Sequence, residues 1–334
     1  MCIGTSVTIR FRIDVKGRTG AMMPCMEIII SHQSALMYWR GYRKGTQPGY
    51  GISHAKPPTS PPDTRGLLER IAPGIPGPVH ILVGRGNARK VSKGVISHVS
   101  TGSCPRGSIV KVDKGFKVVA PELCFLQMAG CLSFEGLLLL AHELCGGYVV
   151  CEESKAGYVK VRPLTSTSKL KAFVKRMRGY HGIKTARKVL RYTSDDAASP
   201  REAQLNCILT LPYRLGGFGF TRPVLNARIK DKRKTGKERN WYCDLFWREK
   251  RLAVEYDSDT YHGDPDSLNA DSIRRTALTL LGIEVVTVTN RQVISIQKLK
   301  ELACLLARRL GKVLRYRDPA FTNRVFALRR ALGV

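Results

Sequence analysis

Residues 252–257, Leu-Ala-Val-Glu-Tyr-Asp, constrain this chain more than any other stretch. Side chains alternate faces along a strand, so Ala253, Glu255 and Asp257 share one face while Leu252, Val254 and Tyr256 take the other. A strand apolar on both faces belongs inside a sheet, and here it carries two carboxylates in with it. Asp244 sits on the preceding antiparallel strand and comes near Glu255 when the two pair across the short turn at 248–251. Two like charges about 4 Å apart repel by roughly 4 kcal/mol at an effective dielectric near 20. Such a cluster either binds a cation or holds a proton at neutral pH. A hard, oxygen-seeking ion such as Mg²⁺ or Mn²⁺ is its natural partner. A single strand acid opposite Lys or Arg is the ordinary alternative; two on one apolar strand, with a third on its neighbour, favour chemistry.

Hydrophobic periodicity around that strand predicts an αβββαβα order from residue 199. Ser199-Pro200-Arg201-Glu202 is a helix start, with a Ser N-cap, Pro at the first helical position and Glu at the third. Strands are expected at about 223–230 and 240–247, joined by a charged turn, and then at 252–257. A helix at about 266–281 ends at Gly282, a strand follows at 283–289, and one amphipathic helix spans 291–310. Glu202 becomes a further carboxylate of the cluster if its helix packs beside the strand. His262 follows closely; a surface or core histidine and a proton-transfer group are equally good readings. Asp271, Arg274 and Arg275 have i, i+3, i+4 spacing, which suits a helix-surface ion pair or an arginine pair reaching for phosphate.

Charge says what such a chain would bind. With 56 Lys and Arg against 26 Asp and Glu, the net charge of +30 points to a polyanion. Nucleic acid is the leading partner and an anionic membrane surface the lesser one. Residues 167–192 are helical and carry Lys169, Lys171, Lys175, Arg176, Arg178, Lys184, Arg187, Lys188 and Arg191 without one acid. A solvated face and a DNA-phosphate-contacting surface both fit that run. The reverse holds from 244 to 271, where eight acids meet only Arg248, Lys250 and Arg251. A surface that repels DNA inside a DNA-binding chain makes sense when a divalent cation occupies it.

The N-terminal half reads as a separate α+β domain at 26–165, followed by a basic helical linker at 166–198. A helix is expected at 31–43, then strands at 79–83, 95–100, 108–113 and 116–120, and helices near 121–130 and 133–145. Residues 1–25 are expected to be a disordered lead, or upstream sequence if translation begins at Met22, Met23 or Met26. Residues 312–334 are expected to form a basic C-terminal helix. The most apolar stretch, 121–150, is interrupted by Glu122, Glu135, His142 and Glu143, so it reads as buried helix rather than a bilayer span. No signal-type apolar core occurs at the N-terminus. The ten cysteines form no CxxC pair, as expected of buried thiols in a reducing cytosol. Gly84-Arg85-Gly86 is too little for a nucleotide loop.

At SPREAQL, CDLFWREKRLAVEYDSDTYH and ADSIRRTALTLLGIEVVTVT, residues 199–311 resemble the very-short-patch-repair (Vsr)-like endonuclease branch of the PD-(D/E)XK nuclease superfamily. The resemblance implies a restriction-endonuclease-like mixed sheet flanked by helices, and Mg²⁺-dependent hydrolysis of DNA phosphodiesters. It makes Asp244 and Glu255 metal ligands, with Asp257 a ligand or base, Glu202 the acid of the first helix and His262 a proton donor or base. The superfamily's E-x-K motif calls for Lys at 257 and this chain has Asp. The repair-endonuclease branch also lacks that Lys and uses histidines near this point. Residues 78–150 are similar to the AbiEi-type antitoxins of toxin–antitoxin systems, on the strand pattern and the step into a helix.

Together these readings predict an α/β (mixed α+β) protein of the bacterial cytoplasm, nucleoid-associated, with an endonuclease-like C-terminal domain. Its expected setting is DNA repair, restriction or phage defence, with a toxin or defence-system partner as a further expectation. The rival is a non-catalytic DNA-binding regulator that keeps the nuclease fold as a scaffold.

Overall fold

The computed structural model describes residues 28–45, 51–53, 55–61, 77–89, 94–102, 104–113, 116–231, 239–257, 265–314 and 319–334. Its helices are α1 (His32–Lys44), α2 (Pro121–Met128), α3 (Phe134–Cys145), α4 (Thr167–Arg176), α5 (Ile183–Val189), α6 (Pro200–Thr210), α7 (Pro265–Leu280), α8 (Asn290–Ile294), α9 (Ile296–Leu310) and α10 (Pro319–Leu332). The strands are β1 (Ile28–Ile30), β2 (Gly51–Ser53), β3 (Val79–Val83), β4 (Val95–Val99), β5 (Ile109–Asp113), β6 (Phe116–Val119), β7 (Tyr148–Val150), β8 (Tyr158–Lys160), β9 (Val224–Asp231), β10 (Arg239–Trp247), β11 (Leu252–Asp257) and β12 (Glu284–Thr289). The fold is mixed α/β, as expected.

Among the described residues the N-terminal sheet runs β2-β5-β6-β1-β3-β4. β1, too short to be foreseen, lies at its centre, parallel to β6 and antiparallel to β3. Trp39 of α1 is buried against this sheet and its indole N–H donates to the Val119 carbonyl at 2.9 Å. Three histidines meet at the start of α1. His80 Nδ1 and His98 Nε2 are 2.9 Å apart, and the His32 ring stacks on His98 with centroids 3.6 Å apart. Ser31 stands at the N-cap, but its Oγ lies 3.0 Å from His32 Nδ1 and makes no cap bond.

The C-terminal sheet runs β12-β11-β10-β9, antiparallel between β9, β10 and β11 and parallel between β11 and β12. One apolar cluster extends from Ile28 to Leu332 and takes in both halves of the chain. The basic segment belongs to it through Leu170, Phe173, Val174, Met177, Ala186 and Val189, and α10 through Phe321, Val325 and Leu328. Burying each of these side chains other than Ala186 stabilises the fold by about 1.5–3 kcal/mol. The helix expected at 291–310 is two helices, because the Ser295 hydroxyl accepts from the Lys298 N–H and caps a new start. Among the described residues no helix is long and apolar enough to cross a membrane.

His142 ties α3 to α6 and to the turn that precedes it. It is wholly buried; its Nδ1 donates to the Leu138 carbonyl at 2.9 Å. Nε2 therefore accepts, from the Ser194 N–H at 3.2 Å and from Asn206 Nδ2 of α6 at 3.3 Å. Burial pushes its pKa down to about 4.

Candidate active site

β11 lies inside the C-terminal sheet, between β10 and β12, as its two-sided apolar pattern requires. The β10–β11 register pairs Leu245 with Val254 and Phe246 with Ala253. One step beyond, Asp244 Oδ2 accepts the Tyr256 N–H at 2.8 Å, so this side chain takes the place of a ladder bond. The strand changes phase at Asp244. Cys243 and Phe246, three residues apart, both enter a small core with Ala227, Ala253, Leu278 and Ile283, whereas Leu245 and Trp247 enter the large one. Asn226, on the neighbouring strand, has a φ of 44°, in the left-handed region that Asn tolerates better than most residues. Asp244 is thereby set at the seam between the two cores.

Glu255 points to the small-core side and is only 5% exposed. Neither of its carboxylate oxygens has a well-aligned hydrogen bond among the described residues, although the Cys243 thiol and the Asp244 backbone N–H lie close enough to favour its charged form. Arg274 Nη1, from α7, lies 3.0 Å from Oε2, close enough for an ion pair but not aligned as a hydrogen bond. Burial, and then the charge of Asp244, push the Glu255 carboxyl well above the usual carboxylate range, while Arg274 pulls it back. Glu202 is likewise raised, first by burial and then by the charges of Asp244 and Glu255. Asp244, Glu255 and Glu202, the last expected only if its helix packed beside the strand, therefore feel one another. Cys243 joins them: burial and the charges of Glu255 and Asp244 push its thiol up to about 12.

Glu202 has a second employment. Its Oε2 accepts the Ala198 N–H at 2.8 Å and its Oε1 accepts the Ser199 hydroxyl at 2.8 Å, while Ser199 Oγ accepts the Glu202 N–H. The helix start that made it visible in the sequence occupies both of its oxygens. Asp257 is half-buried at the end of β11, opposite Thr289 of β12. His262 and the side chain of Asp271 lie outside the described residues. Arg275 is exposed. Among the described residues no three His, Cys, Asp or Glu side chains are gathered to hold a metal ion. Mg²⁺ is commonly held by one or two carboxylates with water and substrate phosphate completing the shell. Asp244 and the buried Glu255, whose oxygens have no well-aligned hydrogen bond, fit that donor set.

All nine cations between 169 and 191 are exposed, and none is paired with a carboxylate among the described residues. The apolar edges of α4 and α5 are buried, so these helices turn their basic residues outward. Thr167, the first residue of α4, is clamped by Asp195, which accepts from its N–H and its hydroxyl at 2.7 Å each. A cavity of about 500 Å³ lies elsewhere, lined by Leu36, Arg40, Leu140, Glu143, Tyr148 and Arg201, and none of the clustered acids lines it.

Two curated relatives share part of this sequence. "Uncharacterized protein MT2308" of Mycobacterium tuberculosis (strain CDC 1551 / Oshkosh) and "Uncharacterized protein Rv2248" of strain H37Rv are each 29% identical over 121 residues. The match covers 36% of this chain and 41% of each relative, so the chain spans less than half of their length. No protein-family model matches the chain, and no solved structure does.

Proposed function

We propose that this protein binds DNA and hydrolyses its phosphodiester bonds with Mg²⁺ or Mn²⁺, as a nuclease of the PD-(D/E)XK type. The observation that carries this is Glu255: a buried carboxylate on an interior strand, beside Asp244, with no well-aligned hydrogen bond to either oxygen. A buried charge left so is costly unless something else satisfies it, and a divalent cation is the economical answer. When bound, the cation would polarise a phosphate oxygen. The chain's own residues do the rest. Asp244, fixed by the Tyr256 N–H, and Glu255 hold the ion; Asp257 and His262 are the candidates for moving the proton of the attacking water; Arg274 and Arg275 meet phosphate. The exposed cations of α4 and α5 neutralise the DNA backbone and set the salt dependence of binding. A bacterial cytoplasmic role in repair, restriction or phage defence follows from such chemistry, with a toxin or defence-system partner for the antitoxin-like N-terminal half.

A second reading, a DNA-binding regulator that retains the fold as scaffold, draws support from Asp at 257 and from the Glu255–Arg274 contact, which satisfies part of the charge without a metal. Purified protein with Mg²⁺ separates the two. Nicking or cutting of DNA that Asp244→Ala abolishes, with DNA binding intact or stronger, supports the nuclease. Cleavage unchanged in Asp244→Ala sinks the site. No cleavage of plasmid, mismatched or single-stranded DNA, beside tight binding to its own promoter, favours the regulator.

A further inference from the structure

We infer that the outer face of the β9–β10 ribbon enters the major groove of duplex DNA, where Arg228 reads a guanine and Tyr242 packs against the neighbouring base. This rests on the reading of the chain as a DNA-binding protein and adds to it the surface that selects a sequence.

The ribbon outruns the sheet that holds it. Among the described residues β10 pairs with β11 only over 245–247, whereas its residues 239–243 pair with β9 alone. That span is roughly 14 Å long at about 3.4 Å per residue. Its two faces differ. Ala227, Ile229, Trp241 and Cys243 turn into the small core. On the other face Arg228 stands opposite Tyr242 and Lys230 opposite Asn240, so four side chains make one compact patch. Arg228 and Lys230 are exposed, and Tyr242 keeps 48% of its surface in solvent. Arg228 Nε donates to Asn240 Oδ1 at 2.7 Å, which fixes the guanidinium at Nε and leaves its two-pronged Nη edge for a ligand. Of the ribbon's two acids, Asp231 is buried and Asp244 belongs to the ion site, so the patch carries its positive charge without an acid.

Two strands about 4.8 Å apart form an element that the major groove, about 12 Å wide, admits and the minor groove, about 6 Å wide, does not. A ribbon backed by its own core on one face offers the other to the base edges. An arginine forking onto O6 and N7 of guanine is the commonest base-specific contact of that groove, and an aromatic ring gains apolar contact with an adjacent thymine methyl. Phosphate contacts from the cations of α4 and α5 position the duplex but carry no sequence information. The ribbon supplies it. Tyr242 and Asp244 are two residues apart on β10, about 7 Å, so a ribbon seated in the groove brings a flanking phosphate toward the ion ligands.

Selection from a pool of short DNA duplexes of random sequence tests this on the full chain, for the wild type, Arg228→Ala, Tyr242→Ala and, as a phosphate-contact control, Arg187→Ala of α5. The wild type is expected to enrich a motif with guanine at one fixed position. Replacing that guanine by 7-deazaguanine, which removes N7 and keeps the base pair, should weaken wild-type binding about tenfold and Arg228→Ala binding hardly at all. Arg228→Ala should lose the preference at that position and Tyr242→Ala the preference beside it. Arg187→Ala should weaken binding to every duplex alike and keep the motif. Tight binding of the pool with no enriched motif overturns the ribbon and leaves the DNA-binding reading standing. So does a motif that Arg228→Ala keeps, or equal binding of single-stranded and duplex pools. A wild type indifferent to 7-deazaguanine overturns it too, which needs no variant and stands even if Arg228→Ala fails to fold. A wild type that retains no member of the pool refutes the DNA-binding reading itself.

Discussion

His142 makes the stability of this protein depend on pH in a way that can be worked out beforehand. In the fold the ring is neutral and wholly buried, with a pKa of about 4 against 6.5 when free. The unfolded chain therefore takes up the proton first, and acid favours unfolding. The contribution is fully present above pH 6.5, declines as pH falls from there toward 4, and is gone below. At 1.36 kcal/mol per pKa unit, the loss from this one residue is about 3 kcal/mol by pH 4. In His142→Leu the ring no longer titrates, but the Ser194 N–H and Asn206 Nδ2 lose their acceptor, at about 1–3 kcal/mol. The variant should then be the weaker protein at pH 7 and should equal or exceed the wild type at pH 4. Urea unfolding at 25 °C, followed by circular dichroism at four pH values between 7 and 4, measures both curves. The other acids and histidines titrate alike in both proteins and cancel in the difference. A wild-type advantage that stays constant from pH 7 to pH 4 would refute the argument.

Other expectations concern the acids, the basic helices and the core. The carboxyls of Glu202 and Glu255 are raised, so stability should fall as pH climbs from about 4.5 through their folded values. Asp244→Asn keeps an acceptor for the Tyr256 N–H and should flatten that fall, by about 1.4 kcal/mol for each unit it takes off those pKa values; a fall of unchanged steepness in thermal melts at pH 5–9 counts against the cluster. Replacing Lys184, Arg187, Lys188 and Arg191 by Ala should weaken DNA binding, and should reduce the slope of log affinity against log salt by roughly 0.9 for each phosphate no longer neutralised. Titrations at several salt concentrations read this directly, and an unchanged slope places the DNA elsewhere. Phe321→Ala, in the first turn of α10, should cost about 3–5 kcal/mol in chemical denaturation, because α10 belongs to the core it shares with α6; a loss below about 1 kcal/mol, the size of an ordinary surface change, would make α10 an appendage.

Much of the C-terminal half was legible because its signals are local. Ser199, Pro200 and Glu202 mark a helix start by chemistry alone, and the alternation in 252–257 says which residues travel with Glu255. The short strands β1, β2, β7 and β8 escaped, since three residues carry no period and their pairing depends on distant partners. The phase change at Asp244 was hidden as well: it lies beside a left-handed backbone at Asn226, on another strand, which no window around Asp244 contains. Strict alternation would place Cys243 and Leu245 together. The Glu255–Arg274 contact could be suspected only as far as the spacing of Arg274 and Arg275 allowed, and that spacing pointed first to Asp271. The meeting of His32, His80 and His98 joins residues up to 66 positions apart and left no trace in any window of sequence.

The turn between β10 and β11 has a bearing on how this site could be inherited. Residues 248–251 close it tightly: Arg251 adopts a φ of 48°, and its guanidinium donates to the carbonyls of Gly282 and Leu281. Adding or deleting one residue here while keeping the pairing would turn β11 over. Glu255 would then enter the large apolar core, and Val254 would face Arg274. Descendants of this gene can vary freely in many surface residues, yet in this turn they have little room to gain or lose a single codon. The ten-residue interval from Asp244 to Glu255 is therefore a mark by which diverged relatives could be traced after most of their side chains have changed.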